Sequence, residues 1–190
     1  MGQTHWVSAL PLLQPTSDQV MAWLSKPYIL SKALKRVTQN LQVKVLDQHF
    51  SQALDDEYAV LNLAKTQLPF VRQVFLIDES ERPLTYGRVI IPKATYEAHF
   101  KDFDKLGSNL LGETLLYRNP DVTRSQFEFA CLNENDPRCA FVYEHIHQEI
   151  ARQPLWARRS IFYIKSLPLL VSELFLPFLP AYIPGDDDAR

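Results

Sequence analysis

An α+β domain carrying a largely antiparallel sheet is the fold this sequence predicts, and two patterns predict it. Short β-rich stretches recur about six times, and brief turns rather than long helical crossovers separate them. A few segments with helix-start signals and helical spacing lie among them. At 190 residues the chain suits one domain over 1–190, with no repeat, heptad or linker to divide it.

From the N-terminus, Thr16 and Gln19 fit a capping box ahead of Val20, Trp23 and Leu24, a first helix that ends near Pro27. Tyr28 to Ser31 forms a turn, and Ser31 is expected to cap a second helix with Leu34 and Val37 facing inward. Leu41 to Phe50 alternates as a half-buried strand, and an acidic loop with Asp55, Asp56 and Glu57 follows. Leu68 to Asp78 and Leu84 to Pro92 flank DESERP, whose charges and proline predict a hairpin turn. Pro92 to Lys105 has helical content through Tyr96, His99, Phe100 and Phe103. Gly107 and Gly112 then bracket Leu110 and Leu111, permitting a backbone that turns its amides toward a ligand. Thr123 to Cys131 alternates as a further strand, and Asp136 and Pro137 open a helix with Phe141 and His145 at helical spacing. Trp156 to Lys165 and Leu169 to Leu176 are the last two strands, and an acidic tail at about 184–190 is expected to be flexible.

Composition narrows the function. A net charge of −2, with acids and bases interspersed, offers no basic stripe for a phosphate backbone, so nucleic acid is not an expected partner. The N-terminus lacks the pattern of an export signal, and Trp6 spoils the acylation pattern that Gly2 suggests, so a cytoplasmic location is expected. Leu167 to Ile183 is the most apolar stretch, but prolines and Glu173 interrupt it, which argues against stable membrane insertion. The two cysteines read as free thiols, and Cys131, Cys139, His145 and His147 match no usual zinc spacing. A phosphate-binding glycine loop, a GxSxG elbow and an HExxH pair are all missing from the sequence.

One residue resists an ordinary folding explanation. Glu173 lies amid Leu169, Leu170, Val171, Leu174, Phe175 and Leu176, a short run that reads as a strand buried on both faces. A lone buried carboxylate costs several kcal/mol or neutralises itself. It therefore calls for a cation or a polar ligand group, and Arg72, in the similar run LPFVRQVFLID, is the candidate. The plainer alternatives are a structural Arg–Glu pair or strands with a wet outer face. Arg158 and Arg159 read as a solvated strand face, with one of them able to face a pocket. Arg88 is either an exposed strand residue or a fork for a substrate carboxylate.

The motifs W-x-R-R-S at 156–160, P-L-L-x-x-E-L-F-L-P at 168–177, G-R-x-x-x-P at 87–92 and L-G-x-x-x-L-G at 106–112 together resemble chorismate lyase. The likeness extends from Asp18 to Tyr182 and is most specific in the stretch around Glu173. It implies a six-stranded antiparallel sheet with helical flaps over a buried ligand. It also implies conversion of chorismate to 4-hydroxybenzoate and pyruvate, the first committed step toward ubiquinone, without metal or organic cofactor. On that resemblance Arg72 and Glu173 are the catalytic pair, meeting the ring carboxylate and the ring hydroxyl. The main-chain amides of Leu30 and Leu111 complete the carboxylate site, and Arg88 serves the enolpyruvyl carboxylate. Whether Glu173 takes a proton or only orients the hydroxyl stays open. The expected partners are substrate and product alone, on a monomeric chain.

The chain departs from the shorter lyases between Phe129 and Leu155, where an inserted helical segment at about 131–153 is either a surface decoration or an added lid. The rival reading is a non-catalytic module that binds small carboxylates on the same fold, as ligand-sensing domains of bacterial transcription regulators do. No helix-turn-helix segment accompanies the domain, and both charged residues are kept.

Overall fold

Hydrogen-bonded pairing joins every strand of the computed structural model, which describes residues 4–13, 17–117, 119–147 and 150–185, into one antiparallel sheet. The strands are β1 (Gln42–Phe50), β2 (Phe70–Ile77), β3 (Pro83–Ile91), β4 (Val122–Arg124), β5 (Glu128–Leu132), β6 (Leu155–Ile164) and β7 (Leu167–Phe175), in the order β1-β2-β3-β7-β6-β4, with β5 also on β6. The seven segments occupy six positions. Ser125 interrupts what the alternation predicts as one strand from Thr123 to Cys131: its N–H donates to the Ile161 carbonyl at 2.8 Å and its Oγ accepts from the Ile161 N–H at 2.9 Å. Thr123 faces Tyr163 while Phe129 faces Arg158, so the register slips by one residue across a bulge.

Two helices precede the sheet. α1 (Asp18–Ser25) is capped by Ser17, whose side chain accepts from the Val20 N–H at 3.3 Å. Thr16, the expected cap, lies outside the described residues, and Gln19 donates instead to the carbonyls of Leu179 and Pro180. α2 (Leu30–Val37) starts after Ile29, so Ser31 stands inside the helix rather than capping it. The acidic run expected as a loop begins α3 (Asp55–Val60), because carboxylates at a helix start meet free N–H groups. The Glu57 carboxylate accepts from the Leu54 N–H at 2.8 Å. α4 (Lys93–Ala98), α5 (Phe100–Asp104) and a π-helical turn (Gly112–Leu116) fill the segment after β3, and α6 (Pro137–His145) begins at Asp136 as expected. The last residues of the acidic tail, 186–190, are outside the described part.

The sheet is buried on both sides. α1 and α2 press Trp23, Leu24, Leu30 and Leu34 against Phe129 and Phe175 on one face. On the other face Cys139 and Val142 of α6 pack with Phe75, Tyr86, Ala157 and Leu174. α6, within the segment expected as an insertion, therefore completes a core. Among the described residues no helix is long and apolar enough to cross a membrane.

A charged network lies within this second layer. Arg88 binds the fully buried Glu57 through Nε at 2.8 Å and Nη2 at 3.0 Å, and its Nη1 donates to Gln73 at 2.8 Å. Tyr86 donates to the same Gln73 oxygen, and burial raises its phenol far above the ordinary range. Removing one member of a buried ion pair strands the other charge. Glu57→Ala should lower the unfolding free energy by ~3–5 kcal/mol in urea titrations, and the double variant Glu57→Leu with Arg88→Met should recover much of it.

Candidate active site

A cavity of about 100 Å³ opens on the face of the sheet beneath α2 and the segment from Leu110 to Tyr117. Alternation along the strands selects its floor: Val74 from β2, Gly87 and Val89 from β3, Val171 and Glu173 from β7, Ser160 and Phe162 from β6. Leu30 and Ser31 of α2 and Leu111 and Gly112 of the π-helical turn form the roof. A cavity of about 150 Å³ accepts a benzene ring, and this space is about two-thirds of that, so a ring enters it only if the roof yields. Ser31 Oγ is buried without a hydrogen-bond partner. Ile29 provides no side-chain cap for α2, so the first amides of that helix have no side-chain acceptor.

Glu173 is the carboxylate of the floor, its side chain 19% exposed, and Arg158 neutralises it: Nε meets Oε2 at 2.6 Å. Arg158 is fully buried, directly across from Glu173 in the β6–β7 register. Its Nη1 donates to the carbonyls of Pro27 at 2.7 Å and Leu24 at 3.2 Å, and the guanidinium carbon lies 4.2 Å from the centre of the Phe127 ring. The expected pairing of Glu173 with Arg72 is thus replaced by one with Arg158. Neither Arg158 nor Arg159 is a solvated face: Arg159, on the opposite side, pairs with Asp56 at 2.9 Å and Glu128 at 2.7 Å.

Arg72 shares the cavity side of the sheet, opposite Val89 in the β2–β3 register, and is buried. Its Nη1 donates to Gln48 at 2.7 Å and its Nη2 to the Gly107 carbonyl at 2.8 Å. Gly107 has φ +46°, a left-handed conformation that glycine adopts without strain, and the turn it makes brings the carbonyl to Arg72. Desolvation pulls the Arg72 guanidinium below its ordinary value. Of the residues the sequence nominated, Leu30, Leu111 and Glu173 line one cavity and Arg72 stands beside it. Arg88 does not join them, because β3 alternation sends it through the sheet to Glu57.

Several cavity residues went unnominated. Arg124 reaches in from β4, its guanidinium carbon 3.8 Å from the Tyr28 ring centre and 4.0 Å from that of Phe127. Tyr117 donates to the Tyr28 carbonyl at 3.3 Å, and burial followed by the nearby Glu173 charge pushes its phenol up to about 12. Lys35 of α2 meets Glu113 of the π-helical turn at 2.7 Å, joining the two parts of the roof. α6 lies across the sheet, away from the cavity, so it is no lid over this site. Among the described residues no three or more His, Cys, Asp or Glu side chains gather as a metal-binding group.

Over residues 3–182 the chain matches the family described as chorismate lyase. It is 32% identical over 169 residues to a probable chorismate pyruvate-lyase of Coxiella burnetii, covering 87% of this chain and 88% of that one. It is 34% identical over 159 residues to a probable chorismate pyruvate-lyase of Aromatoleum aromaticum, covering 82% and 83%. In fold it resembles the C-terminal domain of PhnF, with a TM-score of 0.59 at 11% identity over 82% of this chain and 92% of that one.

The two arginines of the cavity face differ in what their loss should cost the fold. Arg158→Leu leaves Glu173 without its cation and should remove ~3–5 kcal/mol of stability. Arg72→Ala leaves an amide side chain and an exposed loop carbonyl, both within reach of water, and should remove only about 1–2 kcal/mol. Chemical denaturation of the two variants side by side checks the ordering.

Proposed function

The chain belongs to the chorismate lyase family, and on that premise we propose that it converts chorismate to 4-hydroxybenzoate and pyruvate, without metal or organic cofactor, as the step that commits chorismate to ubiquinone. One observation carries the reading: a largely apolar cavity has a carboxylate, Glu173, on one of its strands and a cation, Arg72, two strands away on the same face. Neighbouring strands lie ~4.8 Å apart, so the two backbones are separated by roughly the length of a ring with a substituent at each end.

Each group has a role in this chemistry. Arg72, with the amides of Leu30 and Leu111, binds the ring carboxylate. Arg158 occupies one oxygen of Glu173, and the other accepts from the ring hydroxyl. The bond between the ring and the ether oxygen breaks, its electron pair leaves with the enolpyruvyl group, and the hydrogen on the hydroxyl-bearing carbon is lost as the ring becomes aromatic. The enolate so released takes one proton at its methylene carbon, balancing the one the ring gives up, and becomes pyruvate. Aromatisation drives the reaction, so holding the reactive geometry and excluding water are the protein's main contributions. The roof supplies the exclusion, and its opening must precede product release.

Incubation with chorismate and a chelator should yield equal amounts of 4-hydroxybenzoate, followed by absorbance, and pyruvate, followed by a coupled assay. A strict need for added divalent metal would contradict the cofactor-free reading. Binding of 4-hydroxybenzoate with no consumption of chorismate would instead identify a carboxylate-binding module. Arg72→Ala should weaken product binding by ~2–5 kcal/mol, measured by calorimetric titration.

A further inference from the structure

We propose that Arg124 holds the second carboxylate of the substrate, the one on the enolpyruvyl arm, and so distinguishes substrate from product. The inference rests on the chemistry proposed above and replaces the part that the sequence assigned to Arg88.

Charge around the cavity leads to it. Glu173 and Arg158 cancel as a pair. Arg72 and Arg124 remain, and among the described residues neither forms an ion pair with a carboxylate: Arg72 donates to Gln48 and two loop carbonyls, Arg124 to the Tyr28 carbonyl at 3.0 Å. Two uncompensated cations face a substrate that is a dianion, whereas the product bears a single carboxylate. Half-burial without a counter-charge is costly for a guanidinium, and an arriving carboxylate offsets that cost.

Position agrees with charge. Across the sheet Arg72 lies on β2, Glu173 on β7 and Arg124 on β4, so the carboxylate of the floor is flanked by a cation two strands away on either side. In chorismate the ether and the hydroxyl are on neighbouring ring carbons, away from the ring carboxylate. A ring that gives its carboxylate to Arg72 and its hydroxyl to Glu173 therefore carries its enolpyruvyl arm in the half away from Arg72, the half nearer β4. There is space for the arm there: a hollow of about 270 Å³ shares Leu116, Tyr117, Arg124 and Phe162 with the main cavity. The rings of Tyr28 and Phe127, 3.8 and 4.0 Å away, hold the guanidinium plane between them. Its N–H edge is what a carboxylate would meet, in the paired geometry that arginine favours. The other charged or titratable groups near Arg124 are Tyr28, Tyr117, Arg158 and Glu173, none of which supplies a free anion.

Steady-state kinetics on chorismate and calorimetric titration of 4-hydroxybenzoate, with the full chain and with Arg124→Leu, test the assignment. Losing one partner of a buried charged contact should raise KM for chorismate by roughly 30-fold or more, while product affinity stays within about threefold. Arg124→Lys, which keeps the charge but not the fork, should fall between the two and provides the same comparison if the leucine variant fails to fold. Parallel loss of both affinities would mark Arg124 as a structural support, and an unchanged KM would place the arm elsewhere; either result overturns the proposal. A wild-type chain that neither turns over chorismate nor binds it would overturn the lyase reading as well.

Discussion

A carboxylate in an apolar cavity is costly unless a cation pairs with it, and the Arg158–Glu173 pair is the interaction on which this side of the molecule depends. Arg158 is fully buried, a cost offset where its donors find acceptors: Nε meets Glu173 and Nη1 finds main-chain carbonyls, while Nη2 has no hydrogen-bond partner among the described residues. Those carbonyls belong to Leu24 and Pro27, at the turn between α1 and α2. The residue that compensates Glu173 thereby anchors the turn preceding Leu30 and Ser31, and Tyr28 in that turn binds Arg124 and Tyr117. Floor charge and roof position are set by one side chain.

The opposite layer keeps a second set of charges isolated from the first. Asp56 accepts from Trp6, Arg138 and Arg159, and Glu57 from Arg88, so the start of α3 gathers cations from three directions. α6 contributes Arg138 together with the buried Cys139 and Val142. α6 is therefore integrated through ion pairs as well as apolar packing, on the face without the cavity. A side chain at Gly87 would crowd the cavity floor, since a Cβ there would lie 3.2 Å from Val74.

Alternation and turn chemistry made the sheet legible, since period-two patterning reports which residues share a face. They did not report the bulge at Ser125, which a polar side chain creates by bonding to the neighbouring strand. Nor did they reveal α3, because three successive acids suggest a loop until one of them is seen to close the helix start. At the site, Glu173 announced itself as a charge in an apolar run, whereas Leu30 came only through family motifs and Leu111 through them and the glycines that bracket it. Arg158 escaped because alternation assigns a face without saying whether that face is wet; a strand as apolar at both ends as LWARRSIFYI was the available signal. Arg88 was nominated for its chemistry, but its place two residues from Tyr86 and one from Gly87 puts it on the wrong side of the sheet for the cavity.

The central claim is that Glu173, paired with Arg158, faces the ring hydroxyl of the ligand. Titrating 4-hydroxybenzoate and plain benzoate into the wild-type chain and into Glu173→Ala isolates that contact. A hydrogen bond to a charged group contributes ~1.5–3 kcal/mol, so the wild-type chain should prefer the hydroxylated ring by roughly 10- to 150-fold and the variant should lose nearly all of that preference. Equal affinity of the wild-type chain for both ligands, or a preference that survives in Glu173→Ala, would show that the carboxylate meets something else.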